Sequence, residues 1–216
     1  QDFPAHIIFT SGTTGIPKGV VCKRLGMINN PEWCSKRFNL SSKDCYGWYA
    51  SYGFTAHLNC FTALAVGASI NIVPDSVRLE IQKLSDYYDE HHITVGFLPS
   101  SIMYQFFSLG KNKSLKHAIR GGERAREFSY DGKCEIIDVY GSSETSAAAL
   151  QVDRKYQIEV NRNSMGKPIP NTHAYILDNE MRRVPVGAIG QLYISGKQVA
   201  KGYLDNSTAD KDVFIN

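Results

Sequence analysis

Two short apolar runs, ITVGFL at 93–98 and EIIDVY at 135–140, show no alternation between polar and apolar positions. A strand that lacks this alternation is typical of a parallel sheet that helices cover on both faces. Longer amphipathic stretches alternate with the apolar runs. The clearest, at 78–91, has four apolar or aromatic residues near helical spacing: Leu79, Leu84, Tyr87 and Tyr88. The sequence therefore predicts an α/β fold in which helices flank a mostly parallel sheet.

The pattern changes after about residue 160. Three strand-like segments follow, NTHAYILD, GAIGQLYISG and KQVAKGYL, and turn residues separate them with no long helical stretch between. Such a pattern is typical of a small antiparallel β unit. We therefore predict an α/β subdomain over residues 1–160, with an incomplete first sheet, and a small antiparallel, barrel-like β subdomain over residues 161–216.

The composition disfavours several function classes. The 24 basic and 21 acidic residues are interspersed and the formal net charge is +3, so no nucleic-acid or membrane surface is indicated. No apolar run approaches the roughly 20 residues that span a bilayer. The cysteines are odd in number and form no CxxC pair typical of zinc or redox sites: Cys22, Cys34, Cys45, Cys60 and Cys134. We expect buried, reduced thiols in a cytoplasmic protein.

The segment Thr10–Gly19, TSGTTGIPKG, begins at the last residue of the strand-like run AHIIFT. Glycines let backbone N–H groups approach phosphate oxygens, the hydroxyl groups add donors, and the lysine adds positive charge. A flexible surface turn would not need this combination. The segment is not a Walker loop, because Pro17 precedes Lys18 and Gly19 follows it, so a kinase or a GTPase is less favoured. We predict a phosphate-binding loop of another kind.

Two further motifs accompany strand-like runs. DVYGSSET, Asp138–Thr145, begins with the last three residues of the run EIIDVY. Open parallel sheets usually bind ligands at the carboxyl ends of their strands. Thr145 stands where a GxSxG nucleophile elbow needs its second glycine, so a serine hydrolase is not supported. RGGERA, Arg120–Ala125, begins at the last residue of the run KHAIR, and taken alone it could equally be a glycine turn.

Taken together, the motifs resemble those of the adenylate-forming superfamily, which comprises acyl-CoA synthetases, luciferases and peptide-synthetase adenylation domains. TSGTTGIPKG resembles the phosphate loop, RGGERA the GGE segment, YGSSE the YGxTE motif and GQLYISGKQVAKGYL the GELxIxGxxVAxGY element. Ser143 replaces the usual threonine, and Gln191 replaces the usual glutamate. The resemblance extends from Phe3 to about Leu204, and the last motif is most similar to nonribosomal peptide synthetase adenylation domains.

This resemblance implies that the protein uses ATP to activate a small carboxylic acid as an acyl-adenylate. Lys18 and Glu144 would be catalytic, and Glu144 would bind Mg²⁺. Tyr140 would stack on the adenine and Ser143 would lie near the α-phosphate. The residues expected to contact ATP or AMP are Thr10, Ser11, Gly12, Thr13, Thr14, Gly15, Lys18, Gly121, Gly122, Glu123, Tyr140, Gly141, Ser143 and Glu144. The implied acyl acceptor is the phosphopantetheine of a carrier protein domain in a larger synthetase, or CoA.

The acid pocket departs from the pattern of family members that activate amino acids. There an aspartate pairs with the α-ammonium, whereas counting back from Gly67 places Phe54 at that position, or Thr55 with one gap, and no acidic residue lies between Asp44 and Asp75. A buried ammonium without a counter-charge is costly, so we hypothesise a hydroxy, keto, aryl or β-amino acid substrate. An α-amino acid held differently remains open. The resemblance places nine residues in the pocket, although core filling would explain them as well: Phe54, Thr55, Leu58, Phe97, Ile119, Gly121, Val139, Ala147 and Ala148.

The same resemblance places two family elements outside this sequence. These are the ribose-binding aspartate motif and the C-terminal lid domain with its catalytic lysine, so we expect the chain alone to be inactive or impaired. Two alternatives stay open. One is a non-catalytic nucleotide- or acyl-binding module, and the other is part of a stand-alone acyl-CoA ligase.

Overall fold

A computed structural model of the chain describes residues 3–11, 17–123, 128, 130, 132–153, 164–204 and 213–215. The strands in these ranges are β1 (Pro4–Thr10), β2 (Lys18–Lys23), β3 (Cys45–Trp48), β4 (Ser69–Ile72), β5 (Val95–Pro99), β6 (His117–Gly121), β7 (Glu135–Tyr140), β8 (Leu150–Asp153), β9 (Lys167–Pro168), β10 (Thr172–Leu177), β11 (Gln191–Gly196) and β12 (Gly202–Tyr203). The α-helices are α1 (Arg24–Arg37), α2 (Phe61–Ala65), α3 (Asp75–Arg78), α4 (Ile81–Glu90) and α5 (Ser100–Ser108). Thr55–Cys60 and Ser143–Thr145 are 3₁₀ helices.

The largest sheet has seven strands in the order β4-β3-β5-β6-β7-β8-β9. Strands β3 to β7 pair with one another in parallel, whereas β8 and β9 add antiparallel pairs at one edge. The predicted mostly parallel sheet is therefore confirmed. Because β5, β6 and β7 are adjacent and parallel, their carboxyl ends meet at the same edge of the sheet.

Helices cover both faces of this sheet, as the apolar runs predict. Phe97 on β5 packs in one buried cluster with Trp33 of α1. The next residue, Leu98, packs in a second cluster with Leu84 of α4 and Phe106 of α5. Successive residues of a strand point to opposite faces, so both faces of β5 are apolar and the polar alternation of a half-exposed strand is absent.

The helical pattern at 78–91 is interrupted in the structure. Helix α3 ends at Arg78 and α4 begins at Ile81, and Leu79 between them is 77% exposed. The buried face of α4 consists of Leu84, Ser85 and Tyr88, so the predicted helix is confirmed without Leu79. Among the described helices, none is long and apolar enough to cross a membrane.

Two small antiparallel sheets accompany the large one. β10 pairs with β11, and β12 extends the β1-β2 hairpin to give the order β1-β2-β12. The antiparallel pairing of the late strands agrees with their pattern, whereas barrel-like closure stays a prediction. The boundary at residue 160 also stays a prediction, because 154–163 lie outside the described residues and β9 pairs with β8 in the large sheet.

Candidate nucleotide site

The predicted phosphate loop connects the two strands of a hairpin. Thr10 at the end of β1 pairs with Lys18 at the start of β2, and the Thr10 hydroxyl lies 3.5 Å from the Lys18 carbonyl. Ser11 is exposed and Lys18 is half-buried. Gly12, Thr13, Thr14 and Gly15 lie outside the described residues, so their contacts with phosphate stay predictions. The hairpin register fixes both ends of the loop.

The YGSSE motif begins at the last residue of β7. Tyr140 is 44% exposed, which leaves part of its ring available for stacking. Ser142 caps the 3₁₀ helix that carries Ser143 and Glu144, and its backbone N–H donates to the Thr145 hydroxyl at 2.9 Å. The motif therefore lies at the carboxyl edge of the sheet, with Glu144 on a short capped turn.

The glycines of RGGERA stand beside this strand. A Cβ atom on Gly121 would come within 2.9 Å of both the side chain and the carbonyl of Val139, so only glycine fits between β6 and β7 here. Gly122 has a φ of +85°, a conformation that side chains disfavour. Glu123 uses its carboxylate at the start of α5, where it accepts a 2.7 Å bond from the Ser101 N–H. Gly122 is exposed, so a flat ligand can approach its backbone, whereas Gly121 is buried against Val139.

A buried ion pair connects the two strands just before these motifs. The Arg120 Nε donates to Asp138 Oδ1 at 2.6 Å, and its Nη2 donates to the other carboxylate oxygen. The side chains of Arg120 and Asp138 are only 1% and 11% exposed. The pair ties β6 to β7 one residue before Gly121 and two before Tyr140, and sequence reasoning did not identify it.

Lys18 and Glu144 meet at the side chain of Tyr203 on β12. The Lys18 ammonium lies 5.4 Å from the centre of the Tyr203 ring. The Tyr203 hydroxyl donates a 2.9 Å hydrogen bond to Glu144 Oε1. The phosphate-loop lysine and the carboxylate of YGSSE are therefore brought to one aromatic ring. Tyr203 stands in the KQVAKGYL segment, but its position depends on the pairing of β12 with β2, which no local pattern indicates.

Buried amide groups of α1 hold the turn that follows Glu144. Asn30 Nδ2 donates to the Ser146 carbonyl at 3.0 Å, and Asn29 Nδ2 donates to the Gln198 side chain at 3.2 Å. Ser146 and Ala147 both have positive φ values, +50° and +82°. Such values are uncommon outside glycine, so surrounding contacts must fix them. These supporting amides have no local signal in the sequence.

The predicted pocket residues fall into two groups. Phe97, Ile119 and Ala148 belong to one buried cluster, against which Val139 packs. Gly121 lies beside Val139, and Ala147 lies beside Gly141. Thr55 and Leu58 are buried in the 3₁₀ helix at Thr55–Cys60, whereas Phe54 just before it is 69% exposed. A groove elsewhere, on β10 and residues 183–188, involves none of the predicted site residues. The pocket assignment stays a prediction.

The buried thiols offer no alternative nucleophile. Burial raises the pKa of Cys34 to about 12 and the pKa values of Cys22 and Cys60 to about 11. The expected buried, free thiols are confirmed for four cysteines, whereas Cys45 is partly exposed. In the described ranges, no group of three His, Cys, Asp or Glu side chains could hold a metal.

The donor set at Glu144 nevertheless suits magnesium. Mg²⁺ usually takes one or two protein carboxylates and completes its shell with phosphate oxygens and waters. Glu144 is half-buried, and only Oε1 accepts a bond from Tyr203 within the described structure. The Oε2 atom remains for a cation, so these residues fit a magnesium-bound nucleotide.

A sequence model of the family described as AMP-binding enzymes matches residues 1–204. The chain belongs to the AMP-binding enzyme family. Bacitracin synthase 1 of Bacillus licheniformis is 34% identical over 214 residues, which cover 98% of this chain and 4% of that protein. This family membership agrees with the four motifs. The chain matches only a small part of this much longer relative.

Two solved structures that contain NpsA share the fold. The N-terminal subdomain of Klebsiella oxytoca NpsA, in complex with 3-hydroxybenzoyl-AMSN, has a TM-score of 0.83 and 25% identity over 99% of this chain and 57% of that one. The artificially fused adenylation–PCP di-domain NpsA–ThdA has a TM-score of 0.85 and 26% identity over 98% of this chain and 44% of that one. This chain therefore corresponds to about half of each matched structure.

Proposed function

We propose that the protein containing this chain uses ATP to activate a small carboxylic acid as an acyl-adenylate. The observation that carries the proposal is the meeting of Lys18 and Glu144 at Tyr203. One group belongs to the phosphate loop and the other to the YGSSE turn. A lysine for the leaving phosphates and a carboxylate for the cation belong together in a site that handles a magnesium-bound triphosphate.

In the proposed reaction a carboxylate oxygen of the acid bonds to the α-phosphorus, the bond from this phosphorus to its bridging oxygen breaks, and pyrophosphate leaves. Lys18 would hold the leaving phosphates, and Ser143 would donate near the α-phosphate. Tyr140 and the backbone at Gly121 and Gly122 would hold the adenine, as the resemblance implies. Glu144 would bind Mg²⁺, which neutralises phosphate charge. The protein thus acts mainly by positioning groups and by electrostatics.

The substrate we propose lacks an α-ammonium group, and an aryl acid fits best. No acidic residue lies between Asp44 and Asp75, and the buried members of the predicted pocket are mainly apolar. An ammonium placed among these buried residues would lose its hydration without gaining a counter-charge. The related NpsA subdomain is described with a 3-hydroxybenzoyl compound, which has no α-amino group.

The acyl acceptor we propose is the phosphopantetheine thiol of a carrier protein domain. This proposal rests on the likeness to bacitracin synthase 1 and to the NpsA–ThdA adenylation–PCP fusion. A stand-alone acyl-CoA ligase would release an acyl-CoA instead, so analysing the products separates the two acceptors.

The test is acid-dependent exchange between ATP and labelled pyrophosphate in the full-length protein. The panel contains hydroxybenzoic, 2-hydroxy, 2-keto and β-amino acids together with the standard α-amino acids. We expect exchange with an aryl acid. Exchange with α-amino acids alone would overturn the substrate class. Binding of magnesium-ATP without exchange on any acid would overturn the catalytic proposal in favour of a binding module.

Two variants make the test specific. Glu144→Gln should lower exchange, whereas Glu90→Gln, at an exposed glutamate at the end of α4, should leave it unchanged. Phe54→Asp would place a carboxylate where the family binds the ammonium. We expect it to weaken exchange with the aryl acid and to permit weak exchange with an α-amino acid.

A further inference from the structure

Tyr203 lies on a segment that is bound to both halves of the nucleotide site. On one side, the backbone N–H of Leu204 donates to the Gly19 carbonyl at 2.8 Å, directly after the phosphate-loop lysine. On the other side, the Ala200 N–H donates to the Glu144 carbonyl at 2.7 Å. The segment 200–204 therefore fixes the distance between Lys18 and the turn that carries Glu144.

The side chain of Tyr203 makes the same connection, because it contacts the cation of Lys18 and the carboxylate of Glu144. Its ring faces the Lys18 ammonium at 5.4 Å, and its hydroxyl donates to Glu144 Oε1 at 2.9 Å. The ring of Phe214 packs edge-on against it, with centroids 5.4 Å apart. Within the described part of the chain, no ion pair joins Lys18 to Glu144 directly, although both are held by the same side chain.

A direct ion pair would be harmful at such a site. An ammonium and a carboxylate in contact would neutralise each other and would compete with phosphate and magnesium for the same two groups. An aromatic face attracts the cation without neutralising it. A phenol hydroxyl fixes one carboxylate oxygen and leaves the other one available.

We propose that Tyr203 is a positioning residue that keeps Lys18 and Glu144 apart and directs each toward its own ligand, the leaving phosphates and the magnesium ion. This inference rests on the proposed function, because it takes those two ligands from it. It adds a role for the KQVAKGYL segment, which the reaction itself does not use.

The experiment compares Tyr203→Phe, Tyr203→Leu and the matched control Tyr193→Phe on β11, all in the full-length protein. The readouts are calorimetric binding of ATP with and without Mg²⁺, and the Mg²⁺ concentration at half-maximal exchange. Y203F keeps the ring and loses the hydroxyl, so the Mg²⁺ requirement should rise roughly tenfold while metal-free ATP binding stays unchanged. Y193F should change neither.

Y203L removes the ring as well, so Lys18 can approach Glu144 and metal-free ATP binding should weaken. The double variant Y203L/E144Q removes the competing carboxylate, and metal-free ATP binding should recover. A general disruption of the fold would not be rescued in this way. If Y203L does not fold, Y203F and Y203F/E144Q decide the matter, because the Mg²⁺ effect of Y203F should disappear when Glu144 is already neutral.

The two proposals fail in different ways. If the wild-type protein catalyses no exchange with any acid, the proposed function is wrong, whether or not it binds ATP. If the wild type does both and Y203F leaves the Mg²⁺ requirement unchanged, the role of Tyr203 is wrong and the function stands.

Discussion

The side chain of Asn30 donates a hydrogen bond from Nδ2 to the backbone carbonyl of Ser146, 3.0 Å away. Asn30 is fully buried on α1, and Ser146 lies two residues after Glu144. Asn29, its neighbour on the helix, donates to the Pro170 carbonyl at 2.9 Å. Helix α1 therefore does more than cover the sheet, because its buried Asn30 supports the turn behind the proposed magnesium carboxylate and Asn29 bonds the segment at Pro170.

We predict that Asn30→Asp destabilises the protein more than Asn30→Ala. Alanine leaves the Ser146 carbonyl without its donor, at a cost of about 1–3 kcal/mol in the free energy of unfolding. Aspartate has nearly the same shape but places an acceptor against that carbonyl. Chemical denaturation measures the change, and Asn179→Asp at an exposed turn should stay within about 0.5 kcal/mol. Equal losses for N30A and N30D would contradict the donor role.

The same turn couples to a glycine on α1. A Cβ atom on Gly26 would come within 2.8 Å of the Ser146 Cβ and closer still to its Oγ. We predict that Gly26→Ala is destabilising, because the overlap costs about 1–3 kcal/mol and the better helix propensity of alanine returns only about 1 kcal/mol.

Ser146→Gly should reverse the sign of that effect. Glycine removes the obstructing side chain and accommodates the φ of +50° at this position. In the S146G background, G26A should therefore be neutral or stabilising. Unfolding free energies of the four proteins give the coupling energy, which we expect to exceed about 1 kcal/mol. Additive effects would show that the two residues do not pack as the structure has them.

The sequence predicts the large sheet well, because the apolar pattern of each strand is local. The runs ITVGFL and EIIDVY are apolar on both faces, and β5 and β7 are indeed covered by helices on both sides. The sequence pattern does not predict β2, because this strand joins α1 directly at Arg24 without turn residues between them. β9 and β12 contain two residues each and form through long-range pairing, so β9 gives no periodicity, and only Gly202–Tyr203 of the predicted strand-like segment KQVAKGYL is a strand.

The candidate site divides in the same way. The motif residues Lys18, Gly121, Tyr140 and Glu144 were named from local patterns and from the resemblance. Tyr203 and the amides of α1 act through contacts between distant segments, which one sequence does not reveal. Phe97 and Ile119 illustrate the opposite difficulty, since core filling and pocket lining require the same apolar side chains.

We predict that removing one partner of the Arg120–Asp138 pair lowers the free energy of unfolding strongly, whereas replacing both partners lowers it much less. Arg120→Met leaves a buried carboxylate without its cation, and we expect a loss of about 3–5 kcal/mol in the free energy of unfolding. The double variant R120M/D138L removes both charges and should lose much less. Arg182→Met is the control, because Arg182 pairs with Asp178 on an exposed surface, where the loss should be at most about 1 kcal/mol. A double variant as unstable as R120M would contradict this account.

His6 should make the protein less stable in mild acid. Burial, with a smaller effect from the neighbouring His57 ring, lowers the pKa of His6, and both ring nitrogens are buried without a hydrogen bond among the described residues. In the unfolded chain the pKa returns to about 6.5, so between the two values the unfolded state binds more protons. The stabilisation is therefore complete above pH 6.5 or so and is lost as the pH falls through the folded-state pKa.

His6→Leu removes this titration. We expect the free energy of unfolding to rise less steeply from about pH 5 to pH 7.5 in H6L than in the wild type. Some slope should remain, because burial also lowers the pKa of His117 against the opposing effect of Glu135. Denaturant titrations at a series of pH values measure both slopes. If they coincide, His6 is solvated in the folded protein, and the packing of β1 against the His57 region would need revision.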